Sequence, residues 1–591
     1  MGSRRRGIRV ALPLAGVCLL AVVGLWALRE RFDLRPSTAR RSGPPPNLVL
    51  ISIDTLRADH VSLYGYSRPT TPALDSLGRE GVWFENAVSP APWTLPAHMS
   101  AFTGLPPSEH RVETENNRLP SGVSVVTEIL RGAGYRTAGF VSHVLVGRSY
   151  GFAQGFDLFV EETEECLAAQ VTERVLAWLD SSPPEPFFLF VHYFDPHWDY
   201  HPPENYARMF GSSLEFQRYG DRTFLTPFSH PWKAMEPEAL RHTLALYDGE
   251  IRYTDDQIGR LRSRLEQKGL LQRTAIAVFS DHGEEFRERG SFGHGHSFFP
   301  EVVGVPLLLR YPERIPAGSK IVTSVSLYDL PATLSALAGV VIPDQFTRSG
   351  RNLLELLRDP AGDPERTLVL ESTRRGPKRY AGLRRGFKYI MPYRFFPYSG
   401  ARQFVSVKEG LFEIAKDRAH ARNLLGAAGA EASAAREAID ADLAAAVRRA
   451  APALVLDCAA QNGAHTSLSG RIDLGGTAPD EPFGFRLQAN DRIEPPGFAA
   501  AYEFALTAAR TEKLLVFPTG NNPEVRLSLH VGGKTVFEGP LSLRELAGGR
   551  RFDAAAACSL RWSALRTGEE AGAANLSASQ LEGLRKLGYI Q

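Results

Sequence analysis

The segment Leu48-Val49-Leu50-Ile51-Ser52-Ile53-Asp54 decides the architecture, because it is an apolar run of strand length that ends on a carboxylate. A run this short and this apolar reads as a strand buried on both faces of a sheet. The pattern recurs at Thr137–Val141, Phe187–Val191, Ala275–Phe279 and Pro306–Arg310. Between the last two pairs of runs, Ala239–Lys268 sets Leu240, Leu244, Tyr247, Ile251, Ile258, Leu261 and Leu265 near helical spacing. Strands alternating with helical stretches predict an α/β fold, a central sheet with flanking helices. Polar residues stand just past the strands: Asp54, then Ser142 and His143, then Asp195 and His197, then Asp281 and His282. Ligands bind at the carboxyl ends of strands in open α/β sheets, so these scattered groups are expected to converge.

A hydroxyl joins them. In Pro92-Trp93-Thr94-Leu95-Pro96-Ala97-His98 the proline belongs to the first turn of a helix, so Thr94 opens that helix where free N–H groups favour an anionic ester. Asp54 and Asp281 offer hard oxygen ligands and His282 an imidazole, a set suited to one divalent ion (Mn, Mg, Ca or Zn) with Thr94 as a further ligand and nucleophile. Such an ion lowers the hydroxyl pKa and polarises a phosphoryl or sulfuryl oxygen. His98, one helical turn beyond Thr94, is placed to reach the ester from the same side. His197, His294 and His296 remain for leaving-group protonation or a second metal. Each residue also has a plainer reading. A threonine at a helix start is most often a cap, an aspartate after a strand a turn residue, and a lone histidine packing or surface. Gly293-His294-Gly295-His296 resists the plain reading, since it sets two imidazoles in a glycine-flexible loop. The aromatics of Phe187–Tyr193 read as core, and the basic run Arg374–Arg385 reads as a solvated face.

With 591 residues the chain exceeds one ordinary core, and several domains are expected. A net charge of +2 gives no argument for a nucleic-acid partner. Arg4, Arg5, Arg6 and Arg9 precede the apolar span Val10–Leu28, which is long enough to cross a bilayer. Residues 1–28 therefore read as a cytoplasmic tip and transmembrane signal-anchor, with the rest of the chain extracytoplasmic. A cleaved signal peptide is the alternative, but no clear A-x-A site follows the span. Residues 29–46, rich in Arg, Ser and Pro, form a tether. A catalytic α/β domain (47–345) leads into a small α+β subdomain (346–451), with strands at Thr367–Leu370, Tyr380–Leu383, Phe387–Ile390 and Gly410–Ile414 and an Ala-rich helix near Glu431–Arg449. Residues 452–562 hold short alternating segments, Tyr502–Leu506, Lys513–Phe517, Val525–Val531 and Lys534–Phe537, with Gly532-Gly533 as a hairpin signal. They predict a β-sandwich, followed by a tail at 563–591. Of the four cysteines, Cys458 and Cys558 bracket that region, either paired or as separate thiols.

At the residues singled out above, the chain resembles the sulfatase branch of the alkaline phosphatase superfamily. The resemblance is carried by Asp54-Thr55-Leu56-Arg57-Ala58-Asp59, Tyr64-Gly65-Tyr66, Thr71-Pro72-Ala73-Leu74-Asp75, Thr94-Leu95-Pro96-Ala97-His98 and Thr103-Gly104. Asp195-Pro196-His197, Asp281-His282-Gly283 and Leu411-Phe412-Glu413-Ile414 extend it. It implies a large α/β domain with a metal at the strand ends, held by Asp54, Asp281 and His282. Leu576–Ile590 is similar to the family's usual ending, which implies that 452–562 is an insertion. Two departures matter. Sulfatases proper place Cys or Ser, followed by x-Pro-x-Arg, at the position of Thr94 and oxidise it to formylglycine; oxidation of threonine would give a ketone, so no formylglycine is expected here. The lysines that commonly hold sulfate also lack counterparts near Phe140 and Gly295. Thr94 with Asp281-His282 also looks like the lipoteichoic-acid synthases and phosphoethanolamine transferases, membrane-anchored enzymes with a metal-bound threonine. By that resemblance His197 contacts substrate and His294 joins a second metal site, although those proteins carry several membrane helices. The expectation is a hydrolase or transferase of sulfate or phosphate esters, acting on an envelope glycan or a lipid head group. The contrasting reading is a non-catalytic glycan-binding protein on the same fold.

Overall fold

The computed structural model describes residues 44–162, 167–229, 233–372, 374, 379–391 and 410–450, and the strand and helix segments between 453 and 586. The expected anchor (1–28), nearly all of the tether and Cys166 lie outside the described residues. Among the described residues no helix is long and apolar enough to cross a membrane.

Eight strands build the central sheet: β1 (Asn47–Ile53), β2 (Val82–Phe84), β3 (Arg136–Val141), β4 (Leu158–Glu161), β5 (Phe187–Tyr193), β6 (Thr274–Ser280), β7 (Leu307–Arg310) and β8 (Ser319–Ile321). Their order is β8-β2-β7-β6-β1-β5-β3-β4. Neighbours run parallel except β7, which is antiparallel to both β6 and β2. All seven residues of β1 are buried. Leu48 and Leu50 enter one apolar core with Phe188, Phe190, Ala275 and Ala277. Val49, Ile51 and Ile53 enter the other with Leu189, Val191, Ile276 and Val278. A strand with a core on each face has no solvent side to carry polar residues, which is why its sequence does not alternate.

Helices cover both faces. Helix α1 (Thr94–Thr103) has all ten residues buried and contributes Leu95, Met99, Ala101 and Phe102 to the first core. The long helix α2 (Pro237–Gln267) contributes Tyr247, Ile251, Ile258, Leu261 and Leu265 to the second, with Leu240 and Leu244 packed at its margin. The expected helical spacing is thus the helix's inner stripe.

Beyond this layer, Leu368–Ser372, Arg379–Arg384, Phe387–Ile390 and Gly410–Glu413 form an antiparallel four-stranded sheet. Helix Ala430–Ala450 covers it, packing Ala432, Ala435, Ile439 and Leu443 on Tyr380, Phe387, Tyr389 and Leu411. Between 453 and 563 the chain is a separate β region of two sheets with antiparallel pairing. Glu524–Val531 and Lys534–Leu541 pair as a hairpin across Gly532-Gly533, and Cys458 stands opposite Cys558 in strand register. In the tail helix Ala578–Lys586, Leu584 is fully buried in the first core.

Gly104 ends α1 in the left-handed region (φ 70), its N–H donating to Ser100 O at 2.9 Å. A Cβ there would stand 3.1 Å from Phe346 Cα. Gly104→Ala is expected to destabilise the protein by about 1–2 kcal/mol, read from the urea midpoint. An unchanged midpoint would contradict the role of this cap.

Candidate active site

The register of the three middle strands assembles the site. Ile53 is the partner of Tyr193 in β5 and of Ser280 in β6. The residues that follow, Asp54, Phe194 and Asp281, therefore leave the sheet side by side at its carboxyl edge. The Asp54 N–H continues the ladder by donating to Tyr193 O at 2.9 Å. Thr55 then turns through a left-handed conformation (φ 53). Tyr247 of α2 holds that turn, its hydroxyl donating to Thr55 O at 2.7 Å and accepting from Arg57 N–H at 3.1 Å.

Helix α1 lies over the same edge. Trp93, extended at φ −161 and ψ 160, is its N-cap residue, so Thr94 is the first helical residue and not the cap. Four residues of helix rise about 6 Å and two of strand about 6.6 Å. The Thr94/His98 pair therefore matches the Asp54/Ser52 pair. His98 Nε2 lies 2.7 Å from Ser52 Oγ, and Thr94 Oγ1 lies 3.2 Å from His282 Nε2.

Asp54, Thr94, His98, Asp281 and His282 are all fully buried. Burial, and then the charge of Glu284, push the Asp54 carboxyl well above the usual carboxylate range; contacts with Thr94 and the Thr55 N–H pull the other way, but by less. Burial and then Asp54 push Asp281 up in the same way. Neither oxygen of Asp54 nor Oδ2 of Asp281 has a hydrogen-bond partner of good geometry. His282 is held neutral by burial first and by His294 next. Its Nδ1 is 2.9 Å from Gly283 O, and a carbonyl only accepts, so Nδ1 carries the proton and Nε2 presents a lone pair. That Nε2 is 3.3 Å from Asp281 Oδ2 and 3.6 Å from Asp54 Oδ1. One ligand atom from each of the three residues lies within 4.8 Å of the others. Three buried carboxylate oxygens without donors, both of Asp54 and Oδ2 of Asp281, face an imidazole lone pair, so the residues fit a divalent ion.

The other expected residues divide. His294 and His197 join the cluster: the His294 ring is 4.4 Å from that of His282 and 5.1 Å from that of His197. His294 Nδ1 is 2.9 Å from Glu284 Oε1, and His197 Nδ1 donates to Trp198 O at 2.7 Å. His98 joins from beneath, with Nδ1 2.9 Å from Thr94 O and 3.3 Å from Asp281 Oδ2. Both its nitrogens are engaged inside the protein, which makes it a strut between helix, strand and carboxylate. His296 pairs with Glu285, at 2.7 Å.

Two participants were missed. His192, inside a strand that reads as core, is in register with Ser52, and its Nε2 is 3.5 Å from Asp54 Oδ2. Burial pushes its pKa down to about 3. The available signal was one imidazole in an otherwise aromatic and aliphatic run. Glu284 was visible beside Asp281-His282-Gly283, but its effect on Asp54 needs the fold. The reading of Arg374–Arg385 as a solvated face is corrected in part. Arg374 lies over the Trp93 ring, 4.7 Å from its centroid, and Arg379 donates to Gly295 O at 2.8 Å. Arg384 and Arg385 pair with Glu365 near the surface. The edge of the second sheet meets the site loop, and guanidinium groups there find an aromatic face and carbonyls instead of water. A cavity of about 780 Å³ lies against Tyr328, Arg351, Arg366 and Arg384 and another of about 350 Å³ against Arg57, Arg289 and Lys388; neither is lined by the candidate ligands.

Residues 46–340 match the Sulfatase family model, and the chain belongs to the sulfatase family. It is similar to the ulvan-active sulfatase of Formosa agariphila, with 27% identity covering 60% of this chain and 73% of the relative. Arylsulfatase K of Xenopus laevis is also 27% identical, covering 56% and 70%. In fold it is similar to the phosphonate monoester hydrolase of Agrobacterium radiobacter (TM-score 0.54, 20% identity, 68% of this chain and 96% of the other). A second similar structure was solved with its substrate D-glucosamine-2-N,6-O-disulfate (TM-score 0.55, 18% identity, 69% and 98%). The chain is thus a sulfatase-family hydrolase of sulfuric or phosphoric esters.

In metal-free protein the folded Asp54 and Asp281 carboxyls bind protons more tightly than in the unfolded chain. Stability is then expected to fall as pH rises above the usual carboxylate range near ~4. Adding Mn²⁺ should raise the thermal midpoint more at pH 8 than at pH 5, and Asp54→Asn should abolish the difference. A midpoint indifferent to Mn²⁺ at both pH values would argue against the site.

Proposed function

We propose that Thr94 is the nucleophile of this ester hydrolase and that Asp54, Asp281 and His282, with the Thr94 hydroxyl, hold one divalent ion. The observation that carries the reading is Thr94 Oγ1, 3.2 Å from a neutral His282 Nε2 and among carboxylate oxygens without donors. A bound divalent ion supplies the positive charge that makes the hydroxyl acidic and draws electron density from the ester. Thr94 Oγ1 bonds to the phosphorus or sulfur as the bond to the leaving oxygen breaks, and the leaving oxygen takes a proton. Water then attacks the phosphorus or sulfur of the threonyl ester, the bond to Oγ1 breaks and Oγ1 takes one of the water's protons; another hydroxyl in place of water would make the reaction a transfer. His294 is suited to carry the proton, because Glu284 at Nδ1 stabilises its charged form. His197, its Nδ1 committed to Trp198 O and its ring 5.1 Å from that of His294, is the residue proposed to contact the ester. No formylglycine is needed.

The substrate side of the proposal is an ester on an envelope glycan or lipid head group. The sulfated sugar bound by a protein of similar fold supports the glycan. The arginine-flanked apolar span Val10–Leu28 supports an anchored enzyme facing out of the cytoplasm.

The test is an assay on an aryl sulfate, a phosphate monoester and a phosphodiester, with and without Mn²⁺, beside Thr94→Ala. The variant should lose on the order of 10³-fold or more in turnover. Mass analysis of the peptide containing Thr94 should show an adduct bearing sulfur or phosphorus. Full turnover by Thr94→Ala would overturn the assignment.

A further inference from the structure

We propose that the cavity of about 350 Å³ shared by the catalytic layer and the small C-terminal subdomain is a binding site for a small organic acid, whose carboxylate pairs with Lys388. Lys388 stands in the strand Phe387–Ile390 and is only 2% exposed. A lysine is seldom buried this far without a carboxylate partner. Here the ammonium donates to Phe298 O, and among the described residues no carboxylate pairs with it. The other charges of the lining are matched. Arg57 pairs with Asp59 and Glu288, Glu85 with Arg418 and Lys320, and Arg289 with Glu301. One trio has an extra negative charge and the other an extra positive one, so Lys388 is the charge left over. His420 lines the same cavity, its Nδ1 buried without a hydrogen-bond partner. Its ring stacks on Phe412, the strand partner of Lys388, with centroids 4.8 Å apart and planes at 11°. Asp417 fixes the turn that carries His420 by accepting from the N–H groups of Ala421 and Arg422 at 2.9 and 2.7 Å.

The lining selects its ligand by charge and by surface. One unpaired ammonium balances one negative charge, which fits a carboxylate better than the double charge of sulfate. Val88, Leu383 and Ile414, members of one apolar cluster, wall part of the remaining space and suit a short hydrocarbon body. Burial pushes the Lys388 pKa down to about 7, with Glu301 pulling it up and Arg289 pushing it further down, each by less. Burial, then Lys388 and Arg289, hold His420 well below the usual imidazole range. A neutral ring has one N–H, and with that proton on Nδ1 it gives the carboxylate a second donor. An incoming carboxylate therefore favours the charged form of Lys388, against the effect of burial.

The experiment is calorimetric titration of the full chain with butyrate, beside 1-butanol and sulfate, for wild type and Lys388→Met. Wild type should bind butyrate with uptake of a proton at pH 8, read from the dependence of the heat on the ionisation enthalpy of the buffer. Its affinity should be about tenfold weaker at pH 8 than at pH 6, because Lys388 loses its charge between them. Lys388→Met should weaken butyrate binding by at least about tenfold. Its thermal midpoint without ligand should equal or exceed that of wild type, since a buried unpaired charge has been removed. Saturating butyrate should raise the wild-type midpoint and leave that of the variant unchanged. Absence of both binding heat and a midpoint shift in wild type would overturn the proposal. So would sulfate or 1-butanol binding as tightly as butyrate, or equal affinity for butyrate in Lys388→Met. If the variant does not fold, wild type still decides, because butyrate bound without proton uptake at pH 8 rules out Lys388 as its partner.

Discussion

Two carboxylates forced together without a counter-charge are the constraint on which this protein's site depends. Asp54 and Asp281 cannot move apart, because Ile53 and Ser280 are paired in a parallel ladder buried on both faces. Repulsion and desolvation would favour protonating one of them, and a divalent ion is the other way to relieve the pair. The surrounding groups keep that choice open. His282 donates its Nδ1 proton to a carbonyl and turns a lone pair inward, and burial keeps the nearby imidazoles neutral.

The second constraint is a match of lengths. Helix α1 and strand β1 cross the same edge with nearly equal advance over four and two residues, so one rigid contact, His98 on Ser52, sets the height of Thr94 over Asp54. Because all of α1 is buried, Thr94 rides on an element with little freedom to shift. Tyr247 performs the matching task for the Asp54-Thr55 turn from the opposite face of the sheet.

Much of this was legible in the chain. The five apolar runs became strands within a residue or two of their expected ends, because full burial on both faces leaves a run that only a sheet interior accepts. Asp54, Thr94, Asp281 and His282 were legible as a set because each stands at a boundary, just past a strand or at the start of a helix, where a polar side chain is otherwise unexplained. His192 was not legible, since an imidazole within an aromatic strand looks like packing until its register with Ser52 is known. His98 and His296 were legible as histidines but not in their partners, Ser52 and Glu285. Arg374 was misread because a basic run carries no mark of which guanidinium will find a tryptophan.

Periodicity and boundary chemistry, which are local, thus determined the α/β class, the main strands and helices of the central layer and the polar residues that stand at their ends. Distances between residues far apart in sequence follow from strand order and register, which no local pattern encodes. Only the tertiary structure decided that Asp54 neighbours Asp281, that His294 leans on Glu284 while His296 leans on Glu285, and that an arginine 280 residues after Thr94 stands over Trp93.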